Sequence, residues 1–243
     1  MKFNFSRNYD FPPEIHISDF DNNLEVVSET KLLGVIITEN LKWGANTEYI
    51  CKRAYQKMWS LRRMKRLDIE PNVILDVYVK EIRAVLELAV PAWHSGLTIK
   101  QAADIERVQR VAVSIILSDC KIGISEFSYT MALVTLDLEP LEVRRRKLCN
   151  TFARKSLKSR HSDMFSRNIN KHYTRNRVQF SEQNSRTKRC FKSPLNYLTR
   201  LLNKTEPEAC WCLSLLHSDL DVLMDINAMY HTNKFRNKPY YYG

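Results

Sequence analysis

The chain has 243 residues, enough for one large domain or two small ones, with 44% hydrophobic and 27% charged residues. It has only five glycines and neither the G-x-G-x-x-G nor the G-x-x-x-x-G-K-[ST] pattern, which argues against a nucleotide-binding α/β enzyme. The formal net charge is +11, and the excess is confined to residues 46–205, where 31 Lys and Arg accompany 15 Asp and Glu. A basic body between slightly acidic ends indicates a polyanionic partner.

The first 44 residues are predicted to form a small sheet. Alternating apolar residues mark short strands at 2–5, 14–18 and 24–27, and an apolar run marks a strand at 31–38. From residue 45 onward the pattern is almost entirely helical. The predicted fold class is therefore α+β, predominantly α-helical, with a small N-terminal antiparallel sheet followed by a helical bundle.

A long helix at 45–67 is predicted to have two unlike faces. At 100° per residue an apolar stripe lies on one side, formed by Ile50, Ala54, Met58, Leu61 and Met64. The opposite side carries cations with aromatic rings among them, namely Lys52, Tyr55, Trp59, Arg62, Arg63 and Arg66. Such a face suits a nucleic-acid backbone, although long basic side chains also occur as ordinary solvated surface.

Four further helices are predicted before residue 160. The first runs over 71–90. Its predicted inward residues are Val73, Leu75, Val77, Tyr78, Ile82, Val85, Leu86 and Ala89. After a connector at 91–98, Thr98 is the expected N-cap of a helix at 100–118, with Ala103, Val108, Val111, Ala112, Ile115 and Ile116 inward. A third helix begins near Gly123 and continues to Leu136. The fourth, strongly basic, runs from Pro140 to about Ser159 and is expected to bury Leu141, Leu148, Phe152 and Leu157.

The remaining third of the chain is less regular. Residues 161–193 are polar and basic, and we expect an extended, partly mobile segment there. Ser193 is the expected cap of a short helix to Leu202, an amphipathic stretch follows at 208–230, and the tail beyond 234 is expected to be disordered. The resulting division is 1–44, 45–90, 91–160, 161–193 and 194–243.

Neither a metal site nor a catalytic site is well supported. Cys210 and Cys212 with His217 and His231 have zinc-binding atom types, but the C-x-C spacing is tighter than the usual C-x₂₋₄-C. There is no H-E-x-x-H motif and no Ser/His/Asp order, and His94 is interpreted as structural. We therefore expect no cofactor and no small-molecule substrate.

The chain shows no secretory signal and no apolar run of the roughly 18 residues that a membrane span needs. We therefore expect a protein that is not secreted, of the nucleus or the cytoplasm, with reduced cysteines and no membrane partner.

Three basic clusters remain, at 45–67, 140–160 and 161–193, and together they favour binding of RNA or DNA over solvated surface. Besides the cationic face of the first helix, Arg144 and Arg145 of the second cluster are candidate contacts. The alternative is a domesticated helical interaction module whose basic faces meet acidic protein partners.

Several short patterns occur in order over most of residues 1–203. They are Lys31-Leu-Leu-Gly-Val35, Leu41-Lys-Trp43, Tyr78…Ile82-Arg83…Leu86-Glu87, Ala89-Val-Pro-Ala-Trp93-His94…Leu97-Thr98, Glu106-Arg-Val-Gln109, Tyr129…Ala132-Leu133…Leu136…Leu141…Arg144-Arg145…Leu148-Cys149…Phe152-Ala153 and Ser193-Pro…Tyr197-Leu198. Together they resemble the reverse transcriptases of non-long-terminal-repeat (LINE-like) retrotransposons.

The resemblance implies a palm edge at 1–44, near the primer-gripping hairpin, and thumb-like helices at 45–90. Under it, Lys52, Arg62, Arg63 and Arg66 would contact the phosphates of a template–primer duplex. The helices beyond about Pro91 would belong to the element's C-terminal region.

The sequence departs from the family at the catalytic centre. The paired aspartates of a Tyr/Phe-x-Asp-Asp turn are absent, and the chain is expected to begin just after their place. Two-metal phosphoryl transfer requires such carboxylates, so the Mg²⁺ would belong to a missing palm site. The sequence alone therefore predicts a truncated RNA-directed DNA polymerase fragment that is inactive by itself but binds RNA or DNA.

Overall fold

A computed structural model describes residues 27–118, 129–168 and 179–204. These residues form a two-stranded antiparallel hairpin followed by helices, so the predicted α+β, predominantly helical class is confirmed. No described helix is both long and apolar enough to cross a membrane. The strands predicted at 2–5, 14–18 and most of 24–27, the helix start near residue 123, the stretch at 208–230 and the cysteine–histidine group beyond 209 lie outside the described residues.

The prediction of one continuous strand at 31–38 is wrong. The run is interrupted by a tight turn that joins β1 (Glu29–Leu32) to β2 (Val35–Thr38), with Leu32 opposite Val35. Leu33 and Gly34 both have positive φ, at 48° and 86°, as a two-residue hairpin turn of type I′ requires. An apolar run can therefore contain a reversal where a glycine supplies the left-handed backbone.

Helix α1 (Gly44–Arg66) confirms both the predicted helix and its inward stripe. Ile50, Ala54, Met58 and Leu61 are all at most 2% exposed. The helix packs chiefly on α5, and the side chain of Asn46 accepts a 3.1 Å hydrogen bond from the Ile36 amide of the hairpin. The hairpin and α1 are thereby fixed to each other.

The next helical stretch is broken into several elements, and of its predicted inward residues Tyr78, Ile82 and Leu86 are confirmed. It comprises α2 (Pro71–Val77), a π-helical turn (Tyr78–Arg83) and α3 (Ala84–Leu86). The fully buried residues recur every four positions, at Ile74, Tyr78, Ile82 and Leu86, whereas Val73 is 42% exposed. Ala89 takes a left-handed φ of 51°, and a second short helix, α4 (Val90–Trp93), starts directly after it. The expected end before Pro91 thus occurs a few residues early, and Pro91 begins a new turn.

Helix α5 (Ile99–Leu117) begins at the predicted cap. Thr98 and Gln101 form a reciprocal capping box, with hydrogen bonds of 3.2 and 2.8 Å. Ile105 is fully buried although it was not predicted to face inward, whereas Ala103, which was predicted to face inward, is exposed. The Gln109 side chain accepts a 2.6 Å hydrogen bond from the Tyr78 hydroxyl and donates one of 3.0 Å to the Tyr129 hydroxyl. This buried network joins α5 to the π-helical turn and to α6 (Tyr129–Thr135).

Helix α7 (Leu141–Leu157) packs between α4, α5 and α9 (Pro194–Asn203). Of its predicted inward residues Leu141 is buried, whereas Phe152 is 43% exposed and Leu148 and Leu157 are only partly buried. The buried side continues from Leu141 through Arg145, Cys149, Ala153 and Ser156. The predicted cap of α9 is confirmed, since the Ser193 side chain accepts from the Asn196 amide.

The described parts of 161–193 are more ordered than predicted. They include a 3₁₀ turn (Ser162–Met164) and α8 (Lys188–Phe191). Phe165 and Phe180 are buried edge to face, with ring centroids 6.2 Å apart. The Asn203 side chain donates to and accepts from the Phe180 backbone at 2.9 Å each way. The buried rings of Phe165 and Phe180 therefore hold this segment against the helices, although its composition is otherwise that of a loop.

Candidate nucleic-acid interface

The outer face of α1 is defined here as Lys52, Tyr55, Trp59, Arg62, Arg63 and Arg66. All six side chains are exposed, opposite the buried stripe. At 100° per residue they fall within a sector about 100° wide, and from Lys52 to Arg66 they span about 21 Å along the helix axis. The structure therefore brings six of the eight predicted contacts together on one rigid surface.

This face lies in a stretch without negative charge. Residues 49–67 contain seven Lys and Arg and no Asp or Glu. Lys52, Arg62 and Arg66 form no ion pair with any residue in the described part of the chain. Lys57, which lies towards the hairpin, is instead paired with Glu81. The charges of the outer face are consequently available to an external anion.

The two aromatic rings of the face are placed differently. Trp59 is 62% exposed, and the Arg63 guanidinium lies 5.5 Å from its ring centroid, a cation–π arrangement that leaves most of the indole open. Tyr55 borders a groove of about 1060 Å³ between α1 and α5. The groove is also lined by Lys52 and Arg107, and by the acids Glu48 and Asp104 at the start of the two helices.

Arg144 is not available at the surface. Its guanidinium forms two hydrogen bonds with the Glu87 carboxylate, the second with Nη2 3.0 Å from Oε2. This hydrogen bond raises the pKa of Arg144, and only 27% of the side chain is exposed. Arg83 lies on the other side of the same carboxylate, 3.6 Å away. Arg144 therefore joins α7 to α3 and is not a free phosphate contact.

Arg145 is 1% exposed, so its predicted place on an accessible basic face is wrong. It stands on the buried stripe of α7, four residues after Leu141 and four before Cys149. The spacing of four residues between Leu141, Arg145 and Cys149 is visible in the sequence. It is easily overlooked because Arg145 stands within a run of four basic residues. The cations of α7 that do face solvent are Arg146, Arg154, Lys155 and Lys158.

Sequence reasoning also missed a small basic surface beside the hairpin. Lys31 and Arg53 both stand over the Tyr49 ring, 4.7 and 5.6 Å from its centroid. The hydrogen bond from Lys31, followed by the two positive charges, lowers the pKa of the Tyr49 hydroxyl. The spacing of Tyr49 and Arg53, one helical turn apart, is the only signal of this surface in the sequence.

The part of the chain that the structure describes holds no group of three or more His, Cys, Asp or Glu placed to bind a metal ion. His94 is largely buried, and burial followed by the charges of Arg145 and Arg146 lowers its pKa to about 4. Its Nε2 lies 3.2 Å from the Tyr197 hydroxyl, which agrees with a structural role.

Comparison with known proteins identifies no relative: no protein-family model, no curated protein and no solved structure matches this chain. The function is therefore inferred from the residues and their geometry.

Proposed function

We propose that this chain binds RNA, DNA or their hybrid without sequence preference, and that the outer face of α1 makes the contact. The proposal depends on one observation: residues 49–67 contain no Asp or Glu, and Lys52, Arg62 and Arg66 form no ion pair with any residue that the structure describes. Cations that are not already neutralised release the counterions of a phosphate backbone, which is the main source of sequence-independent affinity.

The chemistry of the face also supports a lack of sequence preference. Ammonium and guanidinium groups contact phosphates that every sequence presents, and an open indole such as Trp59 stacks on any base. A length of about 21 Å along α1 is enough to meet several consecutive phosphates. The buried stripe holds the helix against α5, so these groups stand on a rigid support.

The resemblance to LINE-like reverse transcriptases points the same way, because under it α1 belongs to the thumb that holds template and primer. We include that relationship in the proposal. The sequence has no Tyr/Phe-x-Asp-Asp motif, so we expect no Mg²⁺-dependent primer extension. Incorporation of labelled nucleotides onto a primer by the purified chain would contradict this part of the proposal.

The test is a salt titration of the full chain with fluorescein-labelled single-stranded and duplex oligonucleotides, followed by fluorescence anisotropy. In the variant Arg62→Ala/Arg63→Ala/Arg66→Ala, three phosphate contacts are lost. The slope of log K against log salt should become shallower by about 2 for single strands and about 3 for duplex. Trp59→Ala should weaken single-strand binding by about 1–3 kcal/mol with little effect on the slope.

A matched control separates this face from net charge alone. Arg154→Ala/Lys155→Ala/Lys158→Ala removes the same charge from exposed positions of α7. If this variant flattens the slope as much as the α1 variant does, the assignment to α1 is wrong. If the unmodified chain binds poly-glutamate but not nucleic acid, the interaction-module alternative is favoured instead.

A further inference from the structure

A second cationic site lies beside α5, separate from the outer face of α1. It is a cleft of about 610 Å³ whose walls come from the start of α5, the start of α7, Tyr129 and His94. The outer face of α1 contributes no residue to it. The cleft therefore needs its own explanation.

The side chain that singles out this cleft is Arg145. It is 1% exposed and lines the cleft, yet its Nε and Nη1 are buried without a hydrogen-bond partner among the described residues. Glu106 on the same wall accepts from the Tyr129 hydroxyl through Oε1 and from the Leu141 amide through Oε2, at 2.5 and 3.0 Å, and neither of these bonds goes to Arg145. A buried guanidinium without a partner is strongly unfavourable, and an anion in the cleft would relieve that cost.

The surroundings of Arg145 favour negative charge. The N-terminal ends of α5 and α7, helices of 19 and 17 residues, both border the cleft, and a helix N-terminus carries the positive end of the helix dipole. Arg107 and Arg110 stand on its rim, and with Arg145 they give three cations against the two acids that line the cleft, Glu106 and Glu142. The cleft thus combines three guanidinium groups with two helix N-termini.

His94 adds a second unused donor position. Its Nδ1 is buried without a hydrogen-bond partner, whereas Nε2 lies 3.2 Å from the Tyr197 hydroxyl. Since burial and Arg145 lower its pKa to about 4, the ring is neutral at pH 7. If Nε2 accepts from Tyr197, the proton resides on Nδ1, where it can be donated to an oxyanion.

We propose that this cleft binds a phosphate group, with Arg145 as its principal ligand and His94 Nδ1 as a second donor. The cleft is larger than a phosphate ion needs, so the group would be carried by a nucleotide or by the end of a nucleic-acid strand. The inference does not depend on the proposed function of α1 and would stand if that function failed.

The test measures the thermal stability of the full chain in phosphate-free buffer with added inorganic phosphate, AMP or, as controls, adenosine and NaCl at equal ionic strength. Phosphate or AMP at ten times its Kd should raise Tm by about 3–6 °C, and the controls should not. Arg145→Met should abolish the rise without lowering Tm in phosphate-free buffer, because the change removes an unpaired buried charge. Arg146→Met, one residue along on the exposed side of α7, should keep it.

Nuclear magnetic resonance of the histidine side chains gives an answer even if Arg145→Met does not fold. Phosphate should shift the Nδ1 resonance of His94, identified by its loss in His94→Gln. Absence of a saturable Tm rise with every phosphate-bearing probe, an unchanged His94 resonance, or a full response in folded Arg145→Met would overturn the proposal.

Oligonucleotides with and without a 5′-phosphate identify the source of the group. A response to AMP and inorganic phosphate indicates a free ligand, and a response only to the 5′-phosphorylated strand indicates a strand end. The Arg62→Ala/Arg63→Ala/Arg66→Ala variant should retain the AMP response, which separates this site from the outer face of α1.

Discussion

The carboxylate of Glu87 holds two helices together, and its neutralisation should destabilise the fold more than loss of a surface ion pair. Glu87 accepts from Arg144 and lies 3.6 Å from Arg83. The Glu87 and Arg83 side chains are each 15% exposed, and Arg144 is 27% exposed. In Glu87→Gln the two guanidinium groups would face each other across a neutral amide, with the shape of the site preserved.

The expected cost lies between two known limits. Removing one partner of a fully buried pair costs about 3–5 kcal/mol, whereas an exposed pair contributes about 0–1 kcal/mol. Because these side chains retain some solvent and the amide keeps one acceptor, we expect a loss of about 2–3 kcal/mol. For a chain of this size that corresponds to a fall in Tm of about 4–12 °C.

Urea unfolding followed by circular dichroism measures the change, with Glu81→Gln as the matched control. Glu81 belongs to the same helical stretch as Glu87, is 56% exposed and pairs with Lys57 of α1, so its neutralisation should cost clearly less than that of Glu87. The double variant Glu87→Gln/Arg144→Met should recover part of the loss, since it removes one orphaned charge. If Glu87→Gln loses no more stability than Glu81→Gln, the Glu87–Arg144 ion pair does not stabilise the fold as a partly buried interaction.

Two further predictions follow from the surroundings of Gly96 and His94. A Cβ on Gly96 would lie 2.4 Å from Trp43 Nε1, so Gly96→Ala should lower the free energy of unfolding in urea by about 1–3 kcal/mol. Gly44→Ala should be close to neutral, because a Cβ there would lie 3.6 Å from Gln101 Nε2. The pKa of His94 falls from 6.5 to about 4 on folding, so the unfolded chain binds the extra proton and stability is lost as pH falls from 6.5 towards 4. The loss from this group approaches about 3 kcal/mol, and His94→Gln should show a correspondingly flatter dependence of its urea midpoint on pH. If the urea midpoint depends on pH equally in the unmodified chain and in His94→Gln, the lowered pKa of His94 is contradicted.

Local chemistry was enough to predict several elements from the sequence. The apolar stripe of α1 recurs at helical spacing, so its burial and the exposure of Lys52 and Arg62 on the other side follow together. Thr98 and Ser193 cap their helices with their own side chains, through hydrogen bonds that span three residues. Such features depend on neighbours within one turn, and therefore they can be read without knowing the fold.

Other features depended on partners far away in the chain. Leu32 and Val35 belong to different strands because Gly34 permits the chain to reverse direction. The run of hydrophobic residues alone does not reveal this turn. Arg144 and Arg145 are adjacent members of one basic run, yet the first meets Glu87, 57 residues distant, and the second is 1% exposed and lines the cleft beside α5. A run of basic residues in a sequence indicates that anions will lie near it. Only tertiary packing decides whether such an anion is a carboxylate of the same chain or an external ligand.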